Sequence, residues 1–266
     1  ASIKLIVLGR YFIRLSYRGT AYNGWQSQAA GHTVTVQQVV QKAICTLTGE
    51  DIQITGCGRT DAGVHARDYV AHFEAANLPD ADTTVYKLNR MLPDDIAIHS
   101  IIQVHNDAHA RFDASSRSYE YRLHTSKSPF VHESWLYPYG RPDADMLNTA
   151  AAIVMDYTDF ATFCKTKTDV KTTLCHITES RWTSRDGVYT YHITADRFLR
   201  GMIRLIVGMC LNYERGKISE QDIRTALDSG TRTGHDWSVP AEGLMLCDIR
   251  YPYMDALGVY TGDTAF

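Results

Sequence analysis

Residues 56–66 read Gly-Cys-Gly-Arg-Thr-Asp-Ala-Gly-Val-His-Ala and place Arg59 and Asp61 two residues apart among three glycines. Ile52-Gln53-Ile54 precedes this stretch and the apolar run Tyr69–Phe73 follows it. A fold that accommodates both must hold the stretch as a loop between two strands. Glycine permits φ > 0 and lets a ligand approach the backbone closely. Functional groups are commonly displayed on loops held by such a scaffold. Taken alone, the stretch reads first as a turn, because Asp and Gly together are turn chemistry. Two phosphate-binding patterns fail. No Lys-Ser/Thr follows the glycines as a P-loop requires, and the position three after Gly58 is Asp61, not glycine.

The flanking sequence supplies the elements. Residues 11–17 alternate, with Tyr11, Ile13, Leu15 and Tyr17 on one side and Phe12, Arg14 and Ser16 on the other, which predicts a strand with one buried face. Thr35 and Gln38 fit a capping box. Val36, Val39, Val40, Ala43, Ile44 and Leu47 form the apolar stripe of the helix that follows, and Gly49 ends it. Residues 84–92 read as a helix and Ile96–Val104 as a strand, which closes a first α+β domain, 1–108. The second, 109–266, repeats the same kinds of element. Strand 117–124 carries Tyr119, Tyr121 and Leu123 on one face, and helix 143–155 is Ala-rich. Strands near 177–183 and 188–194 are joined by Ser184-Arg185-Asp186-Gly187, a hairpin signal. Then come a helix over 196–212, a short helix opened by Ser219 and closed by Gly230, and a strand from Leu244 to Tyr251. The fold class is α+β, two related halves sharing a sheet.

Composition narrows the function classes. The 266 residues are 44% hydrophobic and 21% charged, which is a folded composition, and no run approaches the ~18–20 apolar residues that span a bilayer. The start lacks the pattern of a signal peptide, and the six scattered cysteines contain no Cys-x-x-Cys, so free thiols in a reducing cytoplasm are expected. The eleven histidines offer no metal spacing, and no Gly-x-Ser-x-Gly elbow is present. With a net charge of −3, any nucleic-acid binding must use a local basic surface.

Such a surface is expected on the helix over 196–212. Arg197, Arg200 and Arg204 fall at i, i+3 and i+7, with Gly201 and Gly208 beside Arg204. An arginine stripe of this kind is ordinarily a solvated face. Arg111, Arg117 and Arg122 lie near strand 117–124, and Lys165, Lys167 and Lys171 lie in a Thr-rich stretch. Such clusters can hold phosphates.

The motifs together resemble one family. Gly58-Arg59-Thr60-Asp61-Ala62-Gly63-Val64-His65-Ala66 is similar to the signature of the TruA-type tRNA pseudouridine synthases. Ordered matches surround it: Gly24-Trp25-Gln26-Ser27-Gln28, Leu88-Asn89-Arg90, His109-Ala110-Arg111-Phe112-Asp113-Ala114, Arg117-Ser118-Tyr119-Glu120-Tyr121, Phe198-Leu199-Arg200-Gly201-Met202-Ile203-Arg204 and Pro240-Ala241-Glu242-Gly243-Leu244. The resemblance spans about residues 10–252. It implies the pseudouridine synthase fold, two ferredoxin-like or RRM-like halves sharing a mostly antiparallel sheet with a central cleft for RNA. It implies isomerisation of uridine to pseudouridine at positions 38, 39 and 40 of the tRNA anticodon stem-loop, by a cytoplasmic homodimer with no cofactor and no metal. It also implies the roles. Asp61 is the catalytic aspartate, Tyr119 the ring-stacking base, and Arg204 the partner of Asp61. Arg59 intrudes where the target nucleotide flips out, and Leu244 or Leu246 forms the apolar wall. Arg111, Arg197, Arg200 and Lys165 contact RNA. Arg67-Asp68-Tyr69 departs from the family, which more often has Gly-Gln after the signature.

The chemistry asks for the same groups. An N-glycosidic bond is broken and a C-glycosidic one made, which needs a carboxylate kept ionised by a nearby cation, an aromatic platform, and a base for the C5 proton. The carboxylate could attack the sugar, attack the ring or remove a sugar proton. Two other readings use the same residues differently: an RNA-binding protein without activity, and a hydrolase that releases free uracil.

Overall fold

The structure is a computed structural model and describes residues 8–26, 33–164, 171–232, 234–255 and 258–259. Strand β1 (Gly9–Tyr17) carries the expected alternation, and Ile13, Leu15 and Tyr17 are buried. Its other face is not simply solvated. Phe12 is fully buried, packed against Tyr251 at 5.0 Å between ring centroids. Helix α1 (Val36–Thr48) has its capping box at Thr35 and Gln38 and ends in left-handed Gly49, as the sequence predicts. Only Val36, Val40, Ala43 and Ile44 of its stripe are fully buried, so the packed face is narrower than expected.

The ladder entering the signature loop is short. Strand β2 is Thr55–Gly56 alone, although Ile52 and Ile54 are buried before it. Strand β3 (His65–Ala75) leaves the loop earlier than the apolar run suggests. Helix α2 begins at Ala81, capped by the Asp80 carboxylate, and ends at Met91. Its Asn89 side chain both donates to the Ile98 carbonyl and accepts from the Ile98 N–H, at 2.8 and 2.7 Å. That pair clamps the helix to β4 (Ile96–Val104). β1 lies between β3 and β4, antiparallel to both. These elements form the first compact unit, which runs to Ser115 and takes in the chain again from Leu246. Contacts thus divide at Ser115 and Ser116, beyond a single cut near 108. The return is held by the Tyr251 hydroxyl on the Ala110 carbonyl at 2.5 Å.

The second unit is Ser116–Met245. It contains β5 (Ser116–His124), the short β6 (Trp135–Leu136) parallel to it, α3 (Ala144–Ile153), β7 (Ile177–Arg185) and β8 (Val188–Ala195). β8 pairs antiparallel with both β5 and β7. The β7–β8 turn has φ of 52° at Asp186 and 78° at Gly187, the double positive φ of the tight hairpin expected from Asp-Gly. Helix α4 is Met202–Glu214 and α5 is Glu220–Ser229, the latter boxed by Ser219 and closed by Gly230. Strand β9 (Leu244–Arg250) follows. The chain is therefore α+β, with antiparallel pairing dominant. Among the described residues no helix is long and apolar enough to cross a membrane.

The main departure concerns α4. The expected helix over 196–212 starts six residues later, because Gly201 caps it with φ 73°. Arg197 and Arg200 therefore precede the helix and do not share a helical stripe with Arg204. Gly208 is interior, but its bareness serves packing. A Cβ there would lie 1.7 Å from the Trp237 carbonyl oxygen.

Burial also sets a pH dependence. His72, 7% exposed, is lowered from 6.5 to about 4, first by burial and then by the proximity of His109 and Arg10. Between about pH 6.5 and 4 the unfolded chain takes up a proton that the folded chain refuses. Stability is therefore complete above that window and declines as pH falls through it, by up to about 3 kcal/mol. The denaturation midpoint of the wild type is expected to drop more steeply from pH 7 to 4 than that of His72→Asn, whose side-chain oxygen can accept the Ala110 N–H that His72 accepts at 3.0 Å. Equal slopes would refute this assignment.

Candidate active site

The signature loop is braced from below by rings. Trp25 stacks on Tyr69 at 4.2 Å, and Tyr17 contacts both at 6.2 and 5.6 Å. Each such pair contributes about 0.5–1.5 kcal/mol beyond its buried area. The Tyr69 hydroxyl donates to the Gly58 carbonyl at 2.5 Å. Gly56 sits where a Cβ would lie 2.1 Å from that hydroxyl and 2.4 Å from the Trp25 indole nitrogen. The loop glycine is thus needed for contact with the brace as well as for any ligand.

Thr60 is the anchor that sequence reasoning missed. It is 8% exposed, and its Oγ1 accepts the Trp25 N–H at 3.1 Å and bonds the Tyr17 hydroxyl at 2.9 Å. On either side, Arg59 is exposed and Asp61 is half-buried. The Asp61 carbonyl accepts the Val64 N–H at 3.1 Å across a turn whose third residue, Gly63, has φ 82°. Only glycine adopts that angle without strain. His65 closes the loop by accepting the Gly19 N–H on Nδ1 at 3.0 Å. The loop is therefore both a turn and a rigid mount for two charged groups, so the two readings of the sequence are compatible.

Arg59 and Arg111 line one small pocket of about 110 Å³ in the first unit, with Trp25, Gln26, Gln37 and Gly58 among its other walls. The second unit places Tyr119 at the open end of a face whose next members, Tyr121 and Leu123, are fully buried. The Tyr119 ring meets the edge of Phe198 at 5.3 Å. Arg204 on α4 donates from Nε to the Val239 carbonyl at 2.8 Å, which fixes the plane of its guanidinium. Burial pushes the Tyr121 hydroxyl well up, and the charge of Arg204 opposes that shift. The Tyr121 hydroxyl donates to the Pro240 carbonyl at 2.8 Å. Leu244 and Leu246 are both buried. Arg197 is half-buried and Arg200 exposed, ahead of the helix. Lys165 and Lys167 lie outside the described residues. Arg122 is engaged by Glu120 on its own strand at 2.7 Å, and Arg117 donates to the Asp196 carbonyl at 3.0 Å. The departure at Asp68 has a local explanation, since its carboxylate pairs with Arg14 on β1. Among the described residues, no group of three or more His, Cys, Asp and Glu side chains is placed to hold a metal ion.

An α+β chain with mostly antiparallel strand pairing, and a carboxylate beside an arginine on a ring-braced glycine loop, fits the pseudouridine synthase fold. A family model described as tRNA pseudouridine synthase matches residues 15–113 and 157–252. Relatives named tRNA pseudouridine synthase A agree with it. The protein from Bacteroides thetaiotaomicron is 44% identical over 246 residues, covering 91% of this chain and 91% of its own. That from Parabacteroides distasonis is 44% identical over 244 residues, covering 91% and 96%. That from Clostridium acetobutylicum is 35% identical over 241 residues, covering 90% and 98%. The chain belongs to the tRNA pseudouridine synthase family, and is an isomerase of that family.

Proposed function

We propose that this enzyme converts uridine to pseudouridine at positions 38, 39 and 40 of the tRNA anticodon stem-loop, as a cytoplasmic homodimer. The observation that carries the reading is the rigid mounting of Asp61 beside Arg59, in a loop whose family signature is unbroken from Gly58 to Ala66. In this reading Asp61 supplies the carboxylate and Arg204, whose Nε holds the Val239 carbonyl, is the arginine assigned to it as partner. Tyr119 stacks on the extruded uracil and takes the C5 proton. The bond from C1′ to N1 breaks, that from C1′ to C5 forms, and N1 gains a proton, so the change is an isomerisation with no net redox step. Arg59 occupies the place of the flipped nucleotide, and Leu244 or Leu246 walls the pocket. Arg111, Arg197, Arg200 and Lys165 contact the RNA backbone. No cofactor or metal enters the balance of the reaction.

Uridine-containing tRNA transcript labelled with tritium at C5 is expected to release label on incubation with the protein, without added metal or nucleotide. Mapping of the product should find pseudouridine at positions 38–40. Absence of release on several tRNAs would overturn the enzyme reading for this chain, and pseudouridine elsewhere would overturn the position.

A further inference from the structure

A column of rings runs from the core of the first unit to its surface. Phe12, fully buried, lies 6.4 Å from His72. His72 meets His109 edge-on at 4.6 Å, and His109 stacks on Phe112 at 4.2 Å with 27° between the planes. Phe112 is 75% exposed. A phenylalanine so exposed contributes little by burial, yet this one is held in place. The Nδ1 of His109 accepts the N–H groups of Arg111 and Phe112, both at 3.2 Å. The His109 backbone N–H donates to Asp113 at 2.7 Å, and the same carboxylate oxygen takes the Tyr253 hydroxyl at 2.8 Å. An imidazole whose Nδ1 accepts is neutral, and burial lowers its proton affinity further. Phe112 therefore rests on a fixed, uncharged ring and is otherwise largely open to solvent.

The surroundings indicate what that open ring takes. The Arg111 guanidinium lies 5.7 Å from the Phe112 ring centre, and Arg111 joins Arg59 on the small polar pocket. The pocket is small and polar, and the two guanidinium groups on its walls suit a phosphate group. Aromatic rings beside guanidinium groups are the usual equipment for unpaired bases. A protein ligand of apolar character would be ill matched to two arginines.

We propose that Phe112 is a stacking platform for an unpaired base of the RNA other than the target uridine, with the Arg59 and Arg111 pocket taking the adjoining phosphodiester. The proposal rests on the tRNA-directed reading above and adds a positioning residue to it. It assigns the ring column a function, to continue the RNA stack into the protein.

The test uses the full chain and one uridine-containing tRNA transcript. Filter binding and steady-state tritium release are measured for wild type, Phe112→Ala, Phe112→Leu and Phe112→Trp. Loss of one stacked base is expected to raise Kd and KM by roughly 5- to 150-fold in Phe112→Ala, with kcat changed by less than about threefold. Phe112→Leu keeps bulk without a π face and should behave like alanine, whereas Phe112→Trp should restore binding. The added indole should also lose fluorescence on tRNA binding beyond the change seen in wild type. Unchanged Kd in the alanine variant, or rescue by leucine equal to that by tryptophan, would overturn the proposal. If wild type binds but releases no tritium, the catalytic reading fails, while the Kd series still decides the platform.

Discussion

Asp61→Asn is expected to reduce pseudouridine formation by a factor of about 10³ or more, while tRNA binding stays within a few-fold of wild type. The substitution removes one charge and keeps the shape. The loop itself does not depend on that charge. Its turn is closed by the Asp61 carbonyl accepting from Val64, and its inward anchor is Thr60 on Trp25 and Tyr17. The mount therefore survives, and only the chemistry of the carboxylate is lost. The proposed function assigns RNA contact to other groups, Arg59 and Arg111 among them, so affinity should persist. The measurement is tritium release under single-turnover conditions beside filter binding. Turnover within tenfold of wild type would reject Asp61 as the catalytic carboxylate. Loss of binding in step with turnover would show that the loop is a binding element and nothing more.

Gly208→Ala is expected to destabilise the second unit strongly, although alanine is the better helix former by about 1 kcal/mol. The added methyl would lie 1.7 Å from the Trp237 carbonyl oxygen, 2.4 Å from its carbon and 2.9 Å from its Cα. All three are backbone atoms, so no rotamer change relieves the overlap. The segment is pinned on that side as well. Asn212 donates both to the Gly208 carbonyl at 2.9 Å and to the Asp236 carbonyl at 3.1 Å, and Trp237 is 2% exposed against Phe163. Overpacking of this kind costs about 1–3 kcal/mol and occasionally more, which exceeds the propensity gain. A further consequence reaches Arg204, whose Nε is held by Val239 two residues beyond Trp237. Urea denaturation should therefore show a midpoint shifted down with the slope unchanged, and activity should fall more than RNA binding. A neutral or stabilising alanine would mean that helix and segment do not approach so closely in solution.

Much of this was legible in the residues. The α1 capping box, the Asp-Gly hairpin and the Gly-stopped α5 are local devices, set by neighbours within a few positions, and they stand where the sequence places them. The arginine spacing at 197, 200 and 204 misled for a physical reason. It satisfies helical periodicity, but left-handed Gly201 starts the helix after the first two arginines. Periodicity is blind to such a cap. Thr60 was invisible because a threonine within a glycine loop carries no pattern, and its importance comes from Tyr17 and Trp25, 43 and 35 residues away in sequence.

By itself the sequence determined the elements, the family signature and the residue types the chemistry needs, because these depend on short-range pattern and side-chain identity. The tertiary structure decided which groups are mounts and which are displayed. Thr60 and Gly56 face a ring brace, Gly208 makes room for a backbone, and Phe112 stands open at the end of a column that begins at buried Phe12. Those roles arise from contacts between residues distant in the chain, and only packing brings such residues together.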